Sequence, residues 1–161
     1  MNFSGRNSIY YCKQIKLSNM KIYLATPLSL DKRNDMYGAI NILRSIHKFD
    51  VYAPVEHKIE NAWDYPNDEW GLMVFQNDIE AIKDCDIVVM LSYGRNSTAG
   101  ANWEAGYAWG IGKTIILVEM TDEVMSLMVA NGRYATVKGL DGLLQYDWKK
   151  MPKSRTNTEQ K

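Results

Sequence analysis

The feature that most constrains the fold of this chain is the run from Phe75 to Thr114, which carries in succession the patterns of a helix, a buried strand, a loop and a second helix. Residues Ile87 to Leu91 are all apolar, as expected of a strand that is covered on both faces of a sheet. The helix before it has an apolar face whose residues recur at steps of three and four. Those residues are Leu72, Phe75, Ile79 and Ile82, and Asp78 lies just off the face. A buried strand between two helices is typical of an α/β protein.

The loop from Ser92 to Gly100 is polar and opens into a helix that the pattern predicts from about Ala101 to Gly112. Glu104 then falls in the first turn of that helix, where the helix dipole and the free backbone N–H groups favour a charged carboxylate. We therefore expect the pKa of Glu104 to be lowered. Alanines and glycines make the rest of the helix thin, so it can press against the sheet. Glu104 would thus lie near the carboxyl end of the preceding strand, where open α/β sheets bind ligands.

The alternation of strands and helices extends over the rest of the chain. The pattern predicts strands at Lys21–Ala25, Val51–Ala53, Ile115–Val118 and Ala135–Val137, and helices around Met36 to Ile46, at about Asp122–Val129 and at Gly139–Gln145. The segment Val55 to Asp68 has no strong period and is predicted to be a binding or lid loop. Right-handed crossovers leave few layouts for such a chain. We predict a doubly wound, five-stranded parallel sheet in the flavodoxin-like order 2-1-3-4-5, with helices on both faces.

The composition is that of one globular domain with a small ligand. The chain has 161 residues, 19 basic against 19 acidic side chains, and 46% hydrophobic residues. Because the basic residues are scattered and the sequence pI is about 6.7, we expect no nucleic acid polymer as a partner. No apolar run is long enough to predict a membrane span. The two cysteines, Cys12 and Cys85, favour a reduced, cytoplasmic setting without a disulfide.

The ends of the chain differ from its middle. Residues Met1 to Asn19 are polar and lack the apolar core of a signal peptide, so we interpret residues 1–19 as a flexible extension or surface cap. Residues 20–148 form the predicted domain. Residues 149–161 are polar and are predicted to be a tail.

Several segments of this domain resemble, in order and spacing, the nucleoside 2-deoxyribosyltransferase family. They are the strand KIYLATPL, the helix and strand FQNDIEAIKDCDIVV, the helix start GANWEAGYAWGIGK and the later SLM. The resemblance extends from Lys21 to Trp148. Its most specific parts are the D-(I/L)-x-x-I-K-x-x-D helix end and the G-x-x-W-E-x-G-(Y)-A helix start.

The resemblance implies a ping-pong transfer of 2-deoxyribose between nucleobases through a covalent sugar–enzyme ester. Glu104 matches the nucleophile of the family, Asp78 its base-handling carboxylate and Tyr23 the tyrosine that positions the nucleophile. This agrees with glycosyl transfer chemistry, in which a carboxylate stabilises the oxocarbenium-like state and a second acid protonates the leaving group. The resemblance also implies a homo-oligomer whose subunits share active sites. No metal and no organic cofactor is expected.

Two positions depart from the family pattern. Thr98 stands where an aspartate commonly contacts the sugar 5′-hydroxyl, and Ser126 stands where an asparagine reaches that hydroxyl from a neighbouring subunit. The related nucleoside 5′-monophosphate N-glycosidases carry a serine near the Thr98 position, which holds a 5′-phosphate. Ser97, Thr98 and Ser126 would offer donors to either group, and Pro27 and Gly100 complete the predicted substrate-binding set.

Three functions therefore remain open from the sequence. Transfer of deoxyribose is favoured by the overall resemblance, hydrolysis of a nucleoside 5′-monophosphate is favoured by Thr98 and Ser126, and a nucleotide-binding module without turnover is the third. Without the resemblance, Glu104 would be interpreted as a helix-stabilising carboxylate. Asp78 would be interpreted as a solvated helix residue, and Tyr23 as part of the core.

Overall fold

The fold is known from a computed structural model, which describes residues 20–150. Its strands are β1 Lys21–Ala25, β2 Asp50–Tyr52, β3 Ile87–Ser92, β4 Thr114–Glu119 and β5 Ala135–Lys138. Its α-helices are α1 Arg33–Asn41, α2 Asn67–Asp84, α3 Ala99–Gly110, α4 Leu127–Gly132 and α5 Gly139–Gln145. Short 3-10 turns occur in the connections, and a π-helical segment, Ile42–Ile46, continues α1. The predicted extension 1–19 and residues 151–161 of the predicted tail lie outside the described residues.

The strands form one all-parallel, five-stranded sheet in the order β2-β1-β3-β4-β5, which confirms the predicted topology. β1 lies between β2 and β3, so the direction of winding reverses there, and ligands bind at such switch points in open α/β sheets. In this register Tyr23 of β1 pairs with Tyr52 of β2 on one side and with Val88 of β3 on the other. The two tyrosines therefore lie side by side on neighbouring strands.

The two faces of the sheet carry separate hydrophobic cores. One core packs β-strand residues such as Ile22 and Val89 against α1 and α5. The other packs Tyr23 and Met90 against α2 and α3. Every residue of β3 is buried, as the unbroken apolar run predicted. Because alternate side chains of a strand point to opposite faces, Tyr23 faces the helices that carry Asp78 and Glu104.

One predicted helix is wrong. The pattern from Asp122 to Val129 predicted a helix, whereas α4 begins only at Leu127 and ends at Gly132. The residues before it form an irregular loop that packs against the β3–α3 connection. Gly94 has a φ of +59° and approaches Glu123 so closely that a Cβ at Gly94 would lie 2.5 Å from the Glu123 Cβ. This contact joins two loops, and the residue pattern of the Asp122 to Val129 segment does not indicate it.

Within the described part of the chain, no helix is both long enough and apolar enough to span a membrane. Cys85 is buried and carries a free thiol.

Candidate active site

Two acidic side chains meet in one cleft between α2 and α3. The cleft has a volume of about 320 Å³. It is lined by Phe75, Asp78, Ile79, Ile82, Gly100, Trp103 and Glu104. Asp78 and Glu104 are both half-buried, so each carboxyl is partly shielded from water while still reachable from the cleft. The structure therefore brings these two acids together in one crevice.

The packing of the two helices explains why these acids face each other. Ile82, one turn after Asp78 on α2, is fully buried against the sheet. On α3 the residues Ala101, Ala105 and Ala108 are buried, and these small side chains let the helix lie close to the strands, as the sequence predicted. Glu104 lies between Ala101 and Ala105 in sequence and is directed into the cleft rather than into the core.

Glu104 lies in the second turn of α3, not in its first turn as predicted. The helix begins at Ala99, because the Thr98 hydroxyl accepts a hydrogen bond from the backbone N–H of Ala101 at 3.3 Å and caps the helix there. The effect of the helix dipole falls off beyond the first turn. The dipole therefore contributes less at Glu104 than the sequence led us to expect.

The expected lowering of the pKa of Glu104 is also wrong. Burial, and after it the nearby Asp78 carboxyl, raise the pKa of Glu104 to about 7, although the Tyr23 hydroxyl opposes the rise. Two like charges in one cleft disfavour the doubly ionised state. The Asp78 carboxylate therefore makes Glu104 harder to ionise.

Asp78 has the same kind of environment with different partners. Burial raises the pKa of Asp78, while a hydrogen bond from Tyr52 and the nearby His57 lower it. The Tyr52 hydroxyl donates to Asp78 Oδ1 at 3.2 Å. Asp78 therefore accepts a hydrogen bond from a residue of β2, whereas Glu104 lies near Tyr23 of β1.

Tyr23 lies beneath the two acids. Its ring is completely buried, and burial, followed by the charges of Glu104 and Asp78, raises the pKa of its hydroxyl well above the usual range. The hydroxyl makes no hydrogen bond of standard geometry, yet it is close enough to Glu104 to lower the pKa of that carboxyl. Catalytic hydrogen bonds are often long before substrate binds. Tyr23 thus remains a neutral donor directed at Glu104.

The other predicted substrate-binding residues are not all gathered in this cleft. Gly100 lines it, and a Cβ at Gly100 would meet nothing within 4 Å. Ser97 Oγ accepts a hydrogen bond from the Tyr93 N–H at 2.9 Å, so it also shapes the loop that precedes α3. Pro27 is buried just beyond β1, and Ser126 is exposed immediately before α4. Neither of these last two residues lines the cleft.

Sequence reasoning missed several aromatic residues around the acids. Phe75 and Trp103 line the cleft with their rings 5.5 Å apart, and Trp103 stacks on Tyr107 at 5.5 Å. Trp103 is adjacent to Glu104 in the chain, which was the available signal. Tyr52 lies in a predicted strand, and the predicted strand order places that strand beside β1, but the register that pairs Tyr52 with Tyr23 was not predicted.

A second, more apolar groove of about 330 Å³ lies between α3 and α4. It shares no lining residue with the cleft. Its lining consists of Asn102, Ala105, Gly106, Trp109, Ile115, Leu127, Met128, Val129, Asn131 and Gly132. Since none of these described residues is ionisable, the groove offers no group for acid–base or covalent chemistry, and the cleft with the two acids is the candidate active site.

Comparisons with known proteins identify the relatives of this chain. The model of the nucleoside 2-deoxyribosyltransferase family matches residues 22–142. A nucleoside deoxyribosyltransferase from Lactobacillus johnsonii is 26% identical over 103 residues, which cover 58% of this chain and 69% of that protein.

Solved structures give the same result for the fold. A 2-deoxyribosyltransferase from Bacillus psychrosaccharolyticus superposes with a TM-score of 0.75 at 28% identity, over 82% of this chain and 96% of that one. A CMP N-glycosidase from Clostridium botulinum superposes with a TM-score of 0.55 at 18% identity, over 78% of this chain and 96% of that one, which is a likeness of fold alone. Because the family model extends over most of the chain and includes both acids and Tyr23, the chain belongs to the nucleoside 2-deoxyribosyltransferase family.

Proposed function

We propose that the protein transfers a 2-deoxyribosyl group from one nucleobase to another through a covalent ester on Glu104. The observation that carries the proposal is the position of Glu104 and Asp78 on two facing helices, where both line one cleft. One acid can then meet the anomeric carbon while the other reaches the base. Family membership supports the same reaction class.

The first half-reaction releases the base. A carboxylate oxygen of Glu104 forms a bond to C1′ as the C1′–N bond breaks, and the electron pair of that bond leaves with the base. Asp78 gives its proton to the departing base. In the second half-reaction the incoming base attacks C1′, the ester bond breaks to return the Glu104 carboxylate, and the proton of the new base passes to Asp78. Two inversions give net retention at C1′.

The coupling of the two acids suits this chemistry. The productive form has Glu104 ionised and Asp78 protonated, so the pair must hold one proton. Because the pKa of Glu104 is raised to about 7, a proton is available within the pair up to near neutral pH, and it must lie on Asp78 for the reaction. The Tyr23 hydroxyl favours the ionised form of Glu104 and so favours the productive placement of the proton.

The charges in the cleft favour an unphosphorylated nucleoside. Among the described residues that line the cleft, two are acidic and none is basic. A 5′-phosphate that lay in this cleft would meet like charge without a compensating cation among these residues. Hydrolysis of a nucleoside 5′-monophosphate is the second candidate, because Thr98 and Ser126 place hydroxyls where the family commonly has an aspartate and an asparagine. A hydroxyl can bond a 5′-hydroxyl as well as a phosphate. A nucleotide-binding module without turnover is the third.

We further propose that the active sites are shared within a homo-oligomer. Ser126 lies outside the cleft of its own subunit, and the residues that follow it are strongly exposed: Leu127 is 79% and Met128 is 84% accessible. A surface of this kind is typical of a subunit contact.

The small-molecule substrates and the free buried thiol of Cys85 fit a cytoplasmic enzyme of purine and pyrimidine salvage.

Product analysis tests these functions. The protein is incubated with a deoxynucleoside and a second free base, and separately with the corresponding deoxynucleoside 5′-monophosphate. We expect a new nucleoside in the first reaction and no free base in the second. Free base from the monophosphate alone would favour hydrolysis, and no product in either reaction would favour binding without turnover. The Glu104→Ala variant, which removes the nucleophile, is the matched control and should give no product.

A further inference from the structure

Two tyrosines on neighbouring strands serve the two acids separately. Tyr23 and Tyr52 pair in the register of β1 and β2, and their rings stack at 5.6 Å with planes 13° apart. The Tyr23 hydroxyl is directed at Glu104, whereas the Tyr52 hydroxyl donates to Asp78 Oδ1 at 3.2 Å. Each acid therefore has a tyrosine hydroxyl as a neighbour. The proposed mechanism gives a role to the hydroxyl of Tyr23 but none to that of Tyr52.

The Tyr52 ring lies between two other aromatic rings, although its side chain is partly exposed. His57 stacks on it with ring centroids 4.0 Å apart and planes 4° apart. Together with the contact to Tyr23, this gives the Tyr52 ring two stacking neighbours.

Arg44 fixes the backbone on both sides of this stack. Its Nη2 donates to the Val51 carbonyl at 2.9 Å, one residue before Tyr52. Its Nη1 and Nη2 also bind both carboxylate oxygens of Glu56, at 3.0 and 2.7 Å, one residue before His57. Such bidentate pairs fix orientation as well as distance. The segment from β2 to His57 is thus clamped in the conformation that brings the two rings together.

On the basis of the proposed function, we propose that Tyr52 is a positioning residue that holds the Asp78 carboxyl for proton transfer to and from the base, and that His57 fixes the Tyr52 ring by stacking on it. Stacking on His57 orients the Tyr52 ring, and the Tyr52 hydroxyl makes the hydrogen bond to Asp78. Nothing else in the proposed mechanism explains why a tyrosine with two stacking partners donates to Asp78.

The groups that face Asp78 determine the direction of the expected effect. Tyr52 and His57 favour the ionised form of Asp78. Glu104, across the cleft, is electrostatically coupled to Asp78, and Tyr23 lies beneath both acids. Removing the Tyr52 hydroxyl should therefore raise the pKa of Asp78, because a hydrogen bond to the charged form lowers a pKa.

The Tyr52→Phe variant tests the proposal, because it keeps the ring and its stacking and removes only the hydroxyl. In single-turnover measurements of base release, we expect the maximal rate to fall about tenfold, as for the loss of a hydrogen bond to a charged group. The half-saturating nucleoside concentration should stay within about twofold. The alkaline limb of the rate profile should move to higher pH. The control is Tyr37→Phe on α1, where the tyrosine is exposed.

A second readout does not depend on turnover. A carbon-13 NMR titration of the Asp78 carboxyl in the full-length protein should show a higher pKa in Tyr52→Phe than in the wild type. An unchanged pKa of Asp78 would overturn the proposal whether or not the wild type transfers deoxyribose. A wild type that releases no base, together with the expected shift, would reject the proposed function and leave the assignment of Tyr52 to Asp78 intact.

Further variants separate positioning from a general structural effect. In an Asp78→Asn background, Tyr52→Phe should cause no further loss of rate, because residues that act through one contact are not additive. An independent tenfold loss would overturn the proposal. Both His57→Phe and His57→Ala remove the imidazole beside Asp78, but only His57→Phe keeps a stacking ring, so its maximal rate should be several-fold higher than that of His57→Ala. Equal rates in the two His57 variants would reject the role of stacking.

Discussion

Glu104 combines two properties that oppose each other in a single side chain. As a nucleophile it must be ionised, yet burial and the neighbouring Asp78 favour its protonated form and raise its pKa to about 7. The Tyr23 hydroxyl partly offsets both effects. A carboxylate that is costly to ionise becomes more stable when a positive charge develops beside it, which is what happens at C1′ during glycosyl transfer.

This arrangement predicts that Glu104→Gln stabilises the protein at alkaline pH. The pKa of Glu104 is about 7 in the folded state and 4.5 for an unperturbed glutamate. Between these values the folded state holds a proton that the unfolded state has released, so stability falls as pH rises from about 4.5 to about 7. Glutamine removes this loss. The melting temperature of the variant should exceed that of the wild type at pH 8, and the difference should shrink as the pH is lowered towards 4.5.

Thermal unfolding of the wild type and of Glu104→Gln, followed across this pH range, gives the two melting temperatures to be compared. Glu69→Gln, at an exposed position in the first turn of α2, controls for the removal of a carboxylate as such. A Glu104→Gln variant that is less stable than the wild type at pH 8 would show that the carboxylate supports the fold instead of straining it.

The sequence identified the main chemical groups of the site but not their electrostatics. Glu104, Asp78 and Gly100 were all predicted to be site residues, and all three line the cleft. The direction of the Glu104 pKa shift was predicted wrongly. It depends on burial between two helices and on the distance to Asp78, which lies 26 positions earlier in the chain. The position of Glu104 within its helix indicates neither the burial of its side chain nor its distance from Asp78.

At the scale of elements, continuous apolar runs were the most reliable signal. β1 and α5 begin and end where the sequence predicted, because their apolar patterns are unambiguous and Gly139 has a φ of +59°, which favours glycine at the strand-to-helix turn. The connection between β4 and α4 was predicted wrongly. Val124 and Met125 extend the helical pattern of α4, but the segment before α4 forms a loop in which Glu123 lies close to Gly94. A pattern within one segment does not reveal a contact between two loops.

This contact predicts the effect of Gly94→Ala. A methyl group there would lie 2.5 Å from the Glu123 Cβ and 2.8 Å from its carbonyl oxygen, at a φ of +59° that disfavours alanine. We expect a loss of about 1–3 kcal/mol in the free energy of unfolding. Chemical denaturation measures the loss. The control is Gly71→Ala inside α2, where a Cβ meets nothing within 4 Å and alanine should add about 0.5–1 kcal/mol. Similar values for the two variants would contradict this account of the loop contact.

At the scale of the whole molecule, α3 connects two surfaces. Glu104 on one side of the helix faces the cleft, while Asn102, Gly106 and Trp109 line the apolar groove beside α4. A second subunit bound over the groove would press on the helix that carries the nucleophile. Assembly and catalysis would then be coupled through a single helix.

The proposed assembly predicts that Met128→Asp yields a less active, smaller species. Met128 is 84% exposed, so a charge there should leave the isolated subunit folded. It should, however, prevent an apolar surface from being covered by a second copy. Analytical ultracentrifugation with a parallel activity assay makes the test, and Met128→Leu, which keeps the apolar surface, is the control. A wild type that sediments as a fully active monomer would contradict the shared site.

The most direct test of the central claim is to trap the sugar on the protein. The wild type is mixed with a deoxynucleoside without acceptor base, quenched in acid, digested with trypsin and analysed by mass spectrometry. The peptide from Asn96 to Lys113 contains Glu104 as its only side-chain carboxyl. The account predicts one 2-deoxyribosyl group on Glu104 of this peptide, and none in Glu104→Gln. Base release with this peptide unmodified, or the same adduct in Glu104→Gln, would contradict it.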